Sequence, residues 1–158
     1  MIKIGIDPAF RTAGFCVCII DGNDVAFKTF KNGLVDFVFW LIHDRPTEAV
    51  RIVVENSDLQ KTTFGVPKNI SQAEKDKRSR DVGKNQATSK YTVDFCISYF
   101  GAENVHGISP LQKGKKIECP KIFAGIVKSN GHIIHKKSTT QDERDAYMLA
   151  VHNVLNFR

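Results

Sequence analysis

Four carboxylates stand out because each lies at a point where a predicted element begins or ends. Asp7 follows the alternating run Ile-Lys-Ile-Gly-Ile, and Glu55 closes the short apolar run Ile-Val-Val. Asp142 and Asp145 are spaced i, i+3, which puts both on one face of a helix. Acids that converge repel one another, so they either shift their pKa values or hold a cation. Oxygen ligands select hard cations such as Mg²⁺ or Mn²⁺, and two such ions can activate water against a phosphodiester.

Each acid also has a structural interpretation that involves no metal. Thr140 and Glu143 have the spacing of a capping box, and a helix dipole favours acids such as Asp142 in the first turn. Asp7 precedes a proline and could serve only to form a turn. Glu55 is harder to explain in this way, because a carboxylate that ends a buried strand needs a partner.

The elements that must position these acids follow from the apolar periodicity and the turn residues. Three strands are expected first, then a buried helix with Asn32 as a candidate N-cap, and then alternating strands and helices. The predicted strands cover 2–6, 14–20, 25–30, 51–55 and 104–108. The predicted helices cover 33–43, 81–100, 120–127 and 140–155; a charged loop that is mobile or orders on binding is expected at 56–80, and a second loop at 129–139.

This order predicts one α/β domain over residues 1–158. Its five-stranded mixed sheet combines a three-strand antiparallel meander with two parallel strands, and helices flank both faces. The fourth strand should pair in parallel with the first, so Asp7 and Glu55 would emerge at the same edge. The crevice outside the carboxyl ends of such strands is where ligands usually bind. If the last helix packs across the sheet, all four acids converge.

The positive charge of the chain is concentrated in two segments. Its 158 residues include 23 Lys and Arg against 17 Asp and Glu, a formal charge of +6. Residues 60–90 carry eight basic groups against three acids, and residues 111–137 carry seven against one. Such concentration favours a polyanionic partner, most simply nucleic acid, although a lysine-rich solvated surface gives the same count. No apolar run approaches the roughly 20 residues of a membrane span. Residues 1–8 read directly into a strand without the apolar region of a signal peptide, so no export is expected.

The four cysteines are expected to be reduced, half-buried hydrophobic residues of a cytosolic protein. Cys16 and Cys18 lie in one predicted strand and are expected on opposite faces of it, which would prevent a disulfide between them. A zinc site that combines cysteines with His132 and His135 is disfavoured, because the spacing fits no standard ligand pattern.

Several motifs, taken in order, resemble the RuvC-type Holliday junction resolvases of the RNase H-like nuclease superfamily. They are Ile4-Gly5-Ile6-Asp7-Pro8, Thr12-Ala13-Gly14-Phe15, Val53-Val54-Glu55 and Asp142-Glu143-Arg144-Asp145-Ala146. The resemblance implies an RNase H-like fold and a homodimeric endonuclease that cuts four-way DNA junctions symmetrically, leaving 5′-phosphate and 3′-hydroxyl ends. It also implies two Mg²⁺ ions per site, with Mn²⁺ as a substitute, and gives Asp7, Glu55, Asp142 and Asp145 the catalytic and metal-ligand roles.

The resemblance also suggests how DNA would be bound. Basic residues would hold phosphates, and Phe64 would take the role of the family's junction-stacking aromatic, although it lies nine residues after the glutamate. Ala9 replaces the glycine that usually follows the Asp-Pro pair. Tyr91, Phe95 and Tyr99 form an aromatic stripe suited to a core or to a dimer interface, and Gly83 could let DNA approach a helix N-terminus. The candidate DNA-binding residues are Phe64, Lys75, Lys77, Arg78, Arg80, Lys84, Lys113, Lys115, Lys116 and Lys121.

Three other functions remain open or are disfavoured. An RNase H-like ribonuclease or a less specific branched-DNA nuclease would use the same acids. A non-catalytic DNA-binding scaffold would not need all four. An actin-like ATPase needs glycine-rich phosphate loops that this chain lacks. The expected setting is recombination, repair or phage genome processing in the cytoplasm of a bacterial or phage-infected cell, with any branch-migration partner unidentified.

Overall fold

A computed structural model describes residues 1–10, 14–48, 50–59, 69–110, 112 and 116–152. Within these residues a six-stranded sheet carries helices on both faces. The strands are β1 (Ile2–Asp7), β2 (Phe15–Asp21), β3 (Asp24–Phe30), β4 (Val50–Glu55), β5 (Val105–Ile108) and β6 (Ile133–Ile134). The helices are α1 (Leu34–His43), α2 (Gln72–Phe100), α3 (Pro120–Ser129) and α4 (Gln141–Ala150), with 3₁₀ turns at Ser57–Leu59 and Ala102–Asn104.

The sheet has the order β5-β4-β1-β2-β3-β6. β1, β2 and β3 form the predicted antiparallel meander, and β4 and β5 extend it in parallel from β1. The prediction of five strands is wrong by one, because β6 pairs in parallel with the start of β3 inside the predicted loop 129–139. A strand of two residues is too short to produce a visible alternation, so only its partner reveals it.

Two apolar layers cover the sheet. Ile4, Ile6 and Phe15 pack with Phe37 of α1 and Cys96 of α2 on one face. The opposite face is built from alternate residues of the same strands, which pack on α3 and α4. The buried members of that second layer are Cys16, Cys18, Ile20, Val25, Phe123, Val127, Ala146, Tyr147 and Ala150.

Helix α2 is longer than predicted. It starts at Gln72, where Ser71 and Glu74 form a capping box, so the expected loop over 56–80 is wrong for residues 72–80. The first half of α2 is polar on all sides and therefore lacks the apolar periodicity that marks a packed helix. Gly83 accordingly lies inside the helix and not at its N-terminus. Residues 60–68 of the predicted loop lie outside the described residues.

Three local predictions also need correction. Gly33, at φ 59°, is the N-cap of α1, while Asn32 donates to the carboxylate of Asp36. Cys16 and Cys18 face the same side of the sheet, because residues two apart in a strand share a face. Cys119 is exposed, whereas the other three cysteines are fully buried.

The last helix ends earlier than expected. α4 stops at Ala150, while the predicted helix extends to residue 155, of which residues 153–155 lie outside the described part of the chain. Among the described residues, none of the helices has both the length and the apolar character that crossing a bilayer requires.

Candidate functional site

Asp7 and Glu55 end neighbouring parallel strands at the same edge of the sheet. β1 and β4 pair with Ile6 opposite Val54, and each acid is the next residue along its strand. Adjacent strands lie about 4.8 Å apart, so the two acids emerge side by side. The predicted pairing of the first and fourth strands is therefore confirmed.

Both acids point to the face of the sheet that α4 covers. Ile6 packs towards α1 and α2, so Asp7, the next residue, points to the opposite face. Val53 packs against Leu149 of α4, and Glu55, two residues later, shares its face.

Helix α4 runs antiparallel to β1 and β4. Arg51, near the start of β4, donates from Nη2 to the carbonyl oxygen of His152 just after α4, at 3.1 Å. The second half of α4 lies directly on Gly5, where an added Cβ would overlap the backbone of Ala146 and Ala150. The first turn of α4, which carries Asp142 and Asp145, is thereby directed to the edge where β1 and β4 end.

The pKa of the Cys16 thiol is affected by acids from both β1 and α4. This pKa is raised to about 12, mainly by burial; a hydrogen bond from Thr29 opposes the rise, and the negative charges of Glu143, Asp7 and Asp142 add to it. Cys16 lies opposite Asp7 in the β1–β2 register. Acids from β1 and from α4 therefore act on one thiol, although they are far apart in the chain.

Asp145 is deeply buried and held by two side chains. It is 3% exposed, and its Oδ1 accepts a hydrogen bond from Gln141 Nε2 at 2.7 Å. Lys116 Nζ lies 4.0 Å from the other oxygen, Oδ2. At the end of β4, the carboxylate oxygen Oε2 of Glu55 is also shielded from solvent. The edge therefore contains buried carboxylate oxygens, whose burial requires hydrogen bonds or a positively charged partner.

Arg144 ties the basic segment before α3 to α4. Its buried guanidinium donates to the carbonyl oxygens of Ile117 at 2.8 Å and Thr139 at 2.6 Å, and to Gln141 Oε1 at 3.0 Å. These bonds fix Gln141, which in turn holds Asp145. A residue that sequence analysis treated only as part of a motif is therefore the centre of this network.

The capping-box interpretation of Glu143 is confirmed. Its backbone N–H donates to Thr140 Oγ1 at 3.2 Å, and its Oε2 accepts from the backbone N–H of Thr140 at 2.9 Å. The other carboxylate oxygen pairs with Lys136 Nζ at 2.5 Å. Glu143 thus organises the first turn of α4, where Asp142 and Asp145 lie.

The four acids provide suitable chemistry for a hard divalent cation, since all their donors are carboxylate oxygens. Within the described ranges, however, no group of three or more His, Cys, Asp or Glu side chains is arranged to hold a metal ion. Asp145 is instead engaged by Gln141 and Lys116. The assignment of Asp7, Glu55, Asp142 and Asp145 as ligands stays a prediction.

The basic first half of α2 extends beyond the same edge of the sheet. Ser89 of α2 meets Ser57, two residues after Glu55, at 2.9 Å between their hydroxyl oxygens. The buried residues of α2 begin only at Thr88, so the preceding four turns carry their charges into solvent. Those turns contain five of the predicted DNA-binding residues, Lys75, Lys77, Arg78, Arg80 and Lys84.

Sequence analysis missed the contact of Phe10 with α2. Phe10 is 50% exposed, its backbone N–H donates to Asn85 Oδ1 at 3.2 Å, and Lys84 Nζ lies 4.8 Å from its ring centroid. The sequence offered one indication of this contact: Phe10 is an aromatic residue three positions after Asp7 that belongs to no apolar pattern. The contact ties the segment after β1 to the basic helix.

The remaining candidates are only partly covered. Phe64, Lys113 and Lys115 lie outside the described residues, so their predicted contacts with DNA stay predictions. Lys116 faces Asp145, and Lys121 is exposed in the first turn of α3.

No protein-family sequence model matches the chain, and no curated protein matches it. The fold is similar to that of T. thermophilus RuvC, solved in complex with a Holliday junction substrate, with a TM-score of 0.50. The two chains share 15% sequence identity, and the match covers 95% of this chain and 90% of the other. The chain therefore has a RuvC-like α/β fold, as the resemblance implied.

Proposed function

We propose that this protein is a divalent-metal-dependent endonuclease that resolves four-way or otherwise branched DNA. What supports the proposal is the arrangement of the elements: β1 and β4 end side by side after Asp7 and Glu55, the first turn of α4 is directed to the same edge, and a basic helix lies beside it. The similarity of the fold to a resolvase solved with its junction supports the same class of substrate.

In this proposal the four acids would hold Mg²⁺, with Mn²⁺ as a substitute, once Asp145 is released from its contacts with Gln141 and Lys116. Asp7 and Glu55 would contribute from the strand ends, and Asp142 and Asp145 from the first turn of α4. The bound ions would supply an activated water and stabilise the leaving oxygen of the phosphodiester. The expected products are nicks with 5′-phosphate and 3′-hydroxyl ends.

The basic residues position the substrate. Lys75, Lys77, Arg78, Arg80 and Lys84 project on solvent-exposed turns of α2 next to the acidic edge, so a phosphate backbone on α2 would pass that edge. Phosphate contacts set register and orientation without reading sequence. This division of roles suits an enzyme that recognises the shape of a branch.

A homodimer is part of the proposal, because a four-way junction has approximate two-fold symmetry. Tyr91 and Tyr99 on α2 are 53% and 37% exposed, so this aromatic stripe offers an apolar surface to a second copy. Sedimentation velocity should show a dimer, and replacing both tyrosines with lysine should shift it to monomer. The free cysteines of the chain suit the reducing cytoplasm of a bacterial or phage-infected cell.

The proposal is tested with purified protein, Mg²⁺ and a panel of labelled substrates. The panel contains a four-way junction, a three-way junction, linear duplex DNA and an RNA–DNA hybrid, with product ends mapped at nucleotide resolution. We expect paired, symmetric nicks in the four-way junction. Equal cutting of the hybrid would favour the ribonuclease alternative, and binding without cutting would favour the scaffold.

Asp7→Asn is the decisive variant. It should reduce cleavage by at least about a hundredfold, because metal-assisted charge stabilisation supplies several kcal/mol, while junction binding persists. The matched control is Asp44→Asn, since Asp44 is an exposed acid paired with Lys28 at the end of α1. Normal cleavage by Asp7→Asn would refute the site.

A further inference from the structure

Both carboxylate oxygens of Asp145 already face nitrogen donors. Oδ1 accepts from Gln141 at 2.7 Å, and Oδ2 faces the ammonium of Lys116 at 4.0 Å. Asp145 cannot turn away easily, because its side chain is 5% exposed and lies within a packed helix. Lys116 is different, since its side chain is 65% exposed. Of the two charged partners, the lysine is the one that can move.

The position of Lys116 is built into the structure. Arg144 donates to the carbonyl oxygen of Ile117, the next residue, and to that of Glu118 at 3.4 Å. The same guanidinium donates to Gln141 Oε1. Arg144 therefore positions both Gln141 and the backbone next to Lys116, the two residues that contact Asp145. The backbone that carries Lys116 is thus anchored to α4, while the long side chain keeps its freedom.

From these contacts we infer that Lys116 is an internal counter-ion that competes with the divalent cation for Asp145. In the cation-free protein its ammonium compensates the buried carboxylate, and it must leave before Asp145 can bind a metal ion. This inference rests on the proposed function. Arg144 acts as a positioning residue, because it places Lys116 without touching Asp145 in any described contact.

The test measures the Kd for Mn²⁺ of the full-length protein without DNA, obtained from the rise in thermal midpoint across a series of Mn²⁺ concentrations. Lys116→Gln removes the competing charge, so its Kd for Mn²⁺ should fall by about 1.5- to 5-fold, as an exposed ion pair implies. Lys116→Arg retains the charge and should stay near wild type. Lys128→Gln, in the last turn of α3, makes the same change in net charge and should leave the Kd for Mn²⁺ unchanged.

The outcomes separate this inference from the proposed function. If the wild type binds Mn²⁺ and cuts junctions but Lys116→Gln behaves like Lys128→Gln, only the counter-ion role is wrong. A weaker affinity in Lys116→Gln would also overturn it. If the wild type binds no Mn²⁺ at all, both are wrong. Because Lys116 is exposed, circular dichroism should show a native fold for each of its variants.

Discussion

Adding one methyl group at residue 5 should separate α4 from the central strand. Gly5 lies in β1, two residues before Asp7, and an alanine Cβ there would overlap the carbonyl oxygen of Ala146 and the amide nitrogen of Ala150. Both obstructing groups belong to the helix backbone, so no change of rotamer can relieve the contact. The helix must shift, and Asp142 and Asp145 shift with it.

The magnitude follows from the kind of contact. Overpacking a core typically costs about 1–3 kcal/mol, and we expect about 3 kcal/mol here because backbone must move. That is a large share of the roughly 5–15 kcal/mol that stabilises a typical domain. At about 2–4 °C per kcal/mol for a chain of this size, the thermal midpoint should fall by roughly 6–12 °C.

The matched control is Gly83→Ala. Gly83 lies inside α2, and apart from the adjacent helix backbone no described atom lies within 4 Å of an added Cβ. Alanine in an open helical position is favoured over glycine by about 0.5–1 kcal/mol. Its thermal midpoint should therefore rise by roughly 1–4 °C. Scanning calorimetry measures both variants, and junction cleavage is assayed well below both midpoints. Unchanged stability and cleavage in Gly5→Ala would refute the α4 packing on which the convergence of the acids depends.

Three further predictions concern other parts of the chain. Thr140→Ala removes the hydrogen bond from the backbone N–H of Glu143 to the Thr140 hydroxyl and should lower the unfolding free energy by about 1 kcal/mol in urea titrations. A change within error would mean that this cap does not stabilise the fold. Iodoacetamide at neutral pH should alkylate Cys119 well before the three buried cysteines. Backbone N–H groups of α3 lower the pKa of the exposed Cys119 thiol, whereas burial raises the pKa of the other thiols. Peptide mass spectrometry measures the order of alkylation, and equal rates would contradict the prediction. Replacing Lys77 and Arg80 with glutamine should weaken junction binding. The slope of log K against log salt should flatten by about 0.9 for each phosphate that is no longer neutralised. Fluorescence anisotropy at several salt concentrations measures this slope, and an unchanged slope would exclude these two side chains from phosphate binding.

The elements that sequence analysis predicted best are those whose residues contact a core on a regular period. β1 alternates, β4 is a short apolar run, and the capping box of α4 is a local motif, so each was recognisable without tertiary information. The first half of α2 packs against nothing in the described protein core, so no period marked it as helical. β6 is two residues long, and its only mark is its pairing with β3.

For the candidate site, the amino-acid sequence determined which residues are candidates to carry the chemistry, and that two of them end strands while two share a helix face. Only the tertiary structure decided that α4 runs back across the sheet, through contacts such as that of Arg51 with a carbonyl 101 positions away. It also placed Lys116 against Asp145 and made Arg144 the anchor between them. Local patterns cannot encode such arrangements, because the energy of each comes from groups that meet only after distant segments have packed.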